Sequence, residues 1–165
     1  MVMRTIASLA LAGLLAATAT AARAEVIVSF PDPARYTDAS LSGPGIVRED
    51  APALTLLRQH LERLGQRLPP GQTLRITVLD VDLAGRYEPW RITAPDLRVM
   101  TDATWPRLRL RYRLQDNARV LAEREETVSD LNYLSRSRQA RSGDRLFYEK
   151  AMLDDWFSRR FLQPG

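Results

Sequence analysis

The chain has 165 residues, with 24 basic and 20 acidic side chains, one histidine, no cysteine and a formal charge of +4. That length suits one domain with one sizeable core. The composition excludes disulfides and zinc held by several His or Cys ligands, and the near-balance of charge argues against a nucleic-acid footprint.

The N-terminal stretch reads as an export signal. Arg4 supplies the charged start, Ile6 to Ala17 a short apolar run, and Ala22-Arg23-Ala24 an A-x-A cleavage site. The apolar run falls short of the ~20 residues that a membrane span needs. Residues 1–24 are therefore expected to be a cleaved signal peptide and 25–165 a single domain without a transmembrane segment, periplasmic or secreted after cleavage near Ala24. Losing Arg4 and Arg23 leaves a charge of 4 − 2 = +2. The remaining bases are arginines apart from Lys150, as suits a solvated, salt-bridged surface.

Glu25 to Phe30 reads as a first strand stopped by Pro31-Asp32-Pro33, and residues 31–49 as a long loop. A helix follows, with Asp50 as N-cap, Pro52 in the first turn, and Leu54, Leu57, Leu61, Leu64 and Leu68 as its apolar stripe. His60 lies at the edge of that stripe, where a lone histidine reads as a packed side chain. Pro69-Pro70-Gly71 turns the chain into the next strand.

Leu74 to Gly85 is the strongest strand signal, with Ile76 to Val81 apolar and β-branched enough for a central strand packed on both faces. Strict alternation puts Asp80 and Asp82 on the face of Leu74, Ile76 and Val78, with Leu79, Val81 and Leu83 on the other. Residues 84–105 form a second irregular segment, with Trp90, Trp105 and a short extra strand at Leu97 to Met100. Trp90 and Trp105 read first as plugs over the core and second as ligand contacts.

A hairpin follows. Leu108, Leu110, Tyr112 and Leu114 alternate with four arginines, the chain turns at Asp116-Asn117-Ala118, and Arg119 to Val128 returns. A three-residue loop is expected, because it pairs Arg111 with Glu123 and Arg109 with Glu125. After a third loop from Asp130 to Gly143, a last helix from about Gly143 to Leu162, capped by Ser142 or Asp144, carries a stripe of Leu146, Phe147, Lys150, Leu153, Trp156, Phe157 and Phe161.

The expected fold is thus α+β and two-layered: a mixed sheet of about four strands, built as β-α-β and then a β-hairpin, with two helices packed on it. A helical crossover makes the first two strands parallel. If the hairpin runs antiparallel to the central strand, all three long loops meet at one end of the sheet, a common place for ligands. The candidate ligand-binding residues there are Asp80, Asp82, Arg86, Glu88, Trp90 and Asp130, with Asp32 and Asp38 as neighbours. Asp80 and Asp82 read first as structural carboxylates met by arginine or by loop amides.

No catalytic residue, G-x-S-x-G elbow, phosphate loop or cofactor motif stands out, and the sequence leaves a metal site open. The leading expectation is a non-catalytic envelope module that binds a protein or small ligand at the loop-rich end, with no nucleic-acid partner. The alternative is a hydrolase using the Asp80/Asp82 pair, with or without a divalent cation.

The runs Asp80-Val81-Asp82-Leu83-Ala84-Gly85-Arg86, Glu88-Pro89, Trp105-Pro106-Arg107 and Tyr148 to Phe157 resemble the bacterial domain of unknown function 3016 over nearly the whole mature chain. That resemblance implies a small exported single-domain protein, and it brings no catalytic residues with it. Mass spectrometry of the envelope fraction should find a chain that starts at Glu25; an intact Met1 on a cytoplasmic product would contradict export.

Overall fold

The computed structural model describes residues 23–43, 45–88, 90, 97–140 and 143–163. Most of the segment read as an export signal, Pro89, Pro95 and the alternative cap Ser142 lie outside the described residues. In order the elements are β1 (Glu25–Ser29), α1 (Pro52–Gly65), β2 (Gln72–Asp82), β3 (Arg86–Tyr87), β4 (Arg98–Val99), β5 (Arg107–Asp116), β6 (Arg119–Ser129) and α2 (Phe147–Phe157). A π-helical turn, Ser158–Leu162, extends α2, and 3-10 turns occupy Pro33–Arg35 and Tyr133–Gln139.

One sheet has the order β1-β2-β5-β6, with β1 parallel to β2 and the other pairs antiparallel. β3 and β4 form a separate ribbon inside the second long segment, at the place where Leu97 to Met100 suggested an extra strand. This is the expected α+β architecture, and all three long connections do leave from one end of the sheet.

Both helices cover the same face. Leu54, Leu57, Leu61, Leu64 and Leu68 are all buried, and so are Leu146, Met152, Leu153, Trp156 and Phe157 from the C-terminal segment. They meet Val28, Leu74, Ile76, Val78, Leu108, Leu110 and Tyr112 from the sheet in one core. The opposite face is open, so the expectation of a central strand buried on both sides does not hold.

The helix starts also differ from expectation. Ala51, not Asp50, is the N-cap of α1 and makes no side-chain cap; Asp50 pairs with Arg48 instead, at 3.3 Å. In α2 the buried stripe runs through Glu149 rather than Lys150, whose ammonium reaches Asp144 at 2.6 Å. Asp144 accepts the Leu146 N–H at 3.3 Å, so it serves the approach to α2 as a side-chain acceptor.

A β-bulge at Leu79 decides how β2 is used. Val78 pairs with Leu110 and Asp80 with Arg109, which leaves Leu79 as the extra residue. An extra residue flips every later side chain. Val81 and Leu83 therefore join Leu74, Ile76 and Val78 in the core, while Asp80 and Asp82 turn to the open face beside Arg109 and Arg107. Unbroken alternation would have buried both carboxylates under the helices, so the phase shift in the sequence marks the bulge.

The 31–40 loop completes this part of the sheet. β1 ends opposite Thr77, and beyond it the β2 backbone is served by loop groups. Tyr36 donates its hydroxyl to the Val78 carbonyl at 2.7 Å, Asp38 donates its N–H to the Val81 carbonyl at 2.8 Å, and the Leu83 N–H returns to the Asp38 carbonyl at 3.0 Å. Asp80 accepts the Thr37 N–H at 2.7 Å and its hydroxyl at 2.8 Å, and also the Val81 N–H at 2.9 Å.

The hairpin has a different register from the expected one. Its turn has two residues, Asn117 at φ 51° and Ala118, and a second bulge lies near Leu121. Together they pair Arg111 with Glu125 and Arg113 with Glu123, rather than Arg111 with Glu123. The ion pairs still form, with Arg111 2.7 Å and Arg109 3.7 Å from Glu125. The bulge restores the charge pairing that a plain two-residue turn would have lost.

Removing the Asp80 acceptor tests the stitch between loop and bulge. Asp80→Ala should lower the unfolding free energy by about 1–3 kcal/mol, because the Thr37 and Val81 amides lose a charged acceptor. Chemical denaturation measures this, and a variant as stable as wild type would mean that the loop holds without Asp80.

Candidate functional site

The carboxyl end of β2 turns sharply at Gly85, at φ +73°, where an added Cβ would lie 2.8 Å from the Val99 carbonyl and 2.6 Å from Met100 Sδ. Only glycine suits that combination of backbone angle and close approach. The turn delivers Arg86 to the rim of an open cleft of about 370 Å³, bordered by Asp38, Asp82, Arg86, Trp105 and Arg107.

Asp82 lies on the sheet wall of the cleft and Arg107 faces it across the β2–β5 pair. Arg107 donates to Asp82 Oδ2 from Nε at 2.9 Å and from the Nη2 amino group at 2.7 Å. Burial pushes the Asp82 carboxyl above its usual range, more than Arg107 lowers it, and the Asp38 and Asp80 charges add to the rise. Asp80 opens instead into an adjoining groove with Tyr36 and Arg109.

Beneath the cleft, Arg98 is the hub. Only 11% of its side chain is exposed, and its guanidinium lies 4.9 Å from the Tyr87 ring centroid. It donates to Asp38 Oδ2 at 2.5 Å and to the carbonyls of Ala84 at 2.7 Å, Gly85 at 3.1 Å, and Leu83 and Ser40 at 3.2 Å. One side chain thus ties the first loop, the end of β2 and the β3–β4 ribbon together.

From the helical layer, Glu149 accepts the Ala84 N–H at 2.7 Å. Glu149 is 2% exposed, and burial raises its carboxyl above the ordinary value against the pull of the Ala84 amide and the Arg98 charge. Tyr133, wholly buried in the third loop, donates to the Thr101 carbonyl at 2.7 Å and so joins the second and third loops.

The expected site residues divide accordingly. Asp82 and Arg86 border the cleft, and Trp90 stands 66% exposed with the Arg86 guanidinium 6.0 Å from its ring centroid, so it does not plug the core. Glu88 follows β3 and is half-buried. Asp130 does not line the cleft: it accepts the Asn132 N–H at 3.0 Å and Arg136 Nε at 3.2 Å, while Arg136 also grips Asp155 of α2.

His60 lies elsewhere, between the helices, with Nε2 3.0 Å from Asp154; burial holds it below its usual value despite that carboxylate. Among the described residues, no three His, Asp or Glu side chains converge to hold a metal ion. Sequence reasoning missed Arg98 and Glu149. The signals were present as an arginine within a short strand and a glutamate in phase with Leu146, Leu153 and Trp156.

The sign of the Glu149 effect follows from its raised value. A carboxyl that ionises later in the folded state contributes full stability below the unfolded glutamate value, about 4.3, and loses it as pH rises through the folded value. Denaturation midpoints of wild type should therefore fall, relative to those of Glu149→Gln, as pH rises from about 4. A difference that stays constant with pH would show that Glu149 ionises equally in both states.

No curated protein shows significant similarity to the chain. Among solved structures, the crystal structure of a Xanthomonas campestris protein from the DUF330 family model is 15% identical over 84% of this chain and 79% of its own, with a TM-score of 0.33. A likeness that low carries over neither topology nor activity. Residues 24–159 match the family model described as Protein of unknown function (DUF3016), and the chain belongs to that family.

Proposed function

We propose that the chain is exported and acts in the cell envelope as a non-catalytic binding module, with its ligand seat in the cleft at the loop-rich end of the sheet. The observation that carries this reading is the state of the two carboxylates. Asp80 already accepts two amides and a hydroxyl, and Asp82 already takes two bonds from Arg107. Asp82 keeps Oδ1, but a general base or a nucleophile works beside a second activated group, and the chain's single histidine, His60, lies between α1 and α2 instead. Arg86 and Trp90, in contrast, are exposed to solvent at this end of the sheet, as recognition groups are.

A photo-crosslinking side chain placed at Arg86, Arg113 or Gln66 in the exported protein tests the location. Adducts should form from position 86 and not from the open sheet face or the end of α1. Adducts from Arg113 alone, or equally from all three, would place binding elsewhere.

A further inference from the structure

The cleft also carries information about its ligand. We propose that it is a glycan subsite, which takes a neutral hydroxylated ring between Trp105 and the Asp82–Arg107 pair. This inference rests on the loop-end binding reading given above and adds a ligand class to it.

Charge comes first. The charged walls balance, with Asp38 and Asp82 against Arg86 and Arg107, and the Asp82–Arg107 pair is closed at 2.7 Å. A cleft with walls of both signs does not select strongly for an ion of either sign, since a charged ligand must give up its hydration for a compensating partner.

Hydrogen-bonding capacity comes second. Both Arg107 bonds end on Asp82 Oδ2, which leaves Oδ1 as an acceptor and the other Arg107 amino group as a donor. An acceptor and a donor held on one fixed pair suit vicinal hydroxyls, each of which both donates and accepts. The pair is also pre-organised, because the two residues are cross-strand partners.

Shape and apolar area come third. Trp105, half-buried, lines the same cleft, and an indole provides the flat apolar surface that the C–H face of a sugar ring needs. A volume of about 370 Å³ lies within the range of small-molecule sites. Trp90, held beside Arg86, adds a second aromatic side chain near the rim.

Magnetic resonance titration of the isotope-labelled protein tests the assignment, with four probes: a neutral hexose oligomer, an N-acetylglucosamine oligomer, inorganic phosphate and an unstructured acidic peptide. A sugar oligomer should shift the Trp105 indole resonance and the amides from Asp82 to Arg86 saturably. Trp105→Ala and Asp82→Asn should each weaken that binding by about tenfold or more. Arg86→Ala, at the solvent edge, should weaken it as well and serves if either other variant fails to fold. No sugar response at those resonances, or a tighter response to phosphate or peptide, would overturn the glycan assignment. A phosphate or peptide response at the same resonances would leave the loop-end site standing, whereas crosslinks from Arg113 in place of Arg86 would remove both.

Discussion

The extra residue at Leu79 is the constraint on which the rest of this structure depends. A strand that alternated without interruption from Leu74 to Leu83 would either bury two carboxylates while exposing Val81 and Leu83, or, in the opposite phase, expose Leu74, Ile76 and Val78. Burying an unpaired carboxylate costs several kcal/mol, far more than the ~1.5–3 kcal/mol gained from one large aliphatic side chain. The bulge removes the conflict by reversing the phase of β2. Its consequence reaches into sequence far away, because the backbone beyond Thr77 must find partners after β1 stops. Tyr36, Thr37 and Asp38 supply them, and the long first loop is thereby fixed to the sheet.

Arg98 performs a related task one layer further out. Its carbonyl partners come from Ser40, Leu83, Ala84 and Gly85, groups that lie in turns and have no ladder of their own. A guanidinium carries five donors in a rigid fork, so it can satisfy such a set where a lysine could not. Glu149 then connects the same turn to the helical layer through the Ala84 amide. The loop end is therefore ordered by a polar network as well as by the burial of Tyr36, Ala39, Leu41 and Val47, a route open to a cysteine-free chain with a single core.

How much of this was legible in the sequence depended on the range of the signal. The leucine stripe of α1, the arginine alternation of β5 and the β-α-β order are local patterns, and each led to the right element. The phase break around Leu79 was visible too, but periodicity alone does not say whether a run such as Val78 to Leu83 is buried on both faces or bulged. The hairpin register went astray for the same reason. Pairing charges across the strands was the correct criterion, yet two combinations of turn and bulge satisfy it, and the structure uses the shorter turn with a bulge near Leu121. Arg98 and Glu149 stayed hidden because their importance comes from partners 60 and 65 residues away, and no spacing rule spans such distances.

The same network limits the chemistry available at the loop end. Asp38, Asp80 and Asp82 lie close enough in the fold for Asp38 and Asp80 to raise the Asp82 carboxyl. Three neighbouring carboxylates on a sheet end would ordinarily invite a hydrolytic reading. Here each is already held: Asp38 by Arg98, Asp80 by Thr37 and Val81, Asp82 by Arg107. Releasing Asp38 or Asp80 for proton transfer would break a contact that positions a loop. The groups that stay available are Asp82 Oδ1, the remaining donors of Arg107, and Arg86 with the two tryptophans. On the proposed reading, that set would recognise a ligand, and the pairs that hold Asp82 and Arg107 in place would lower the entropy cost of doing so.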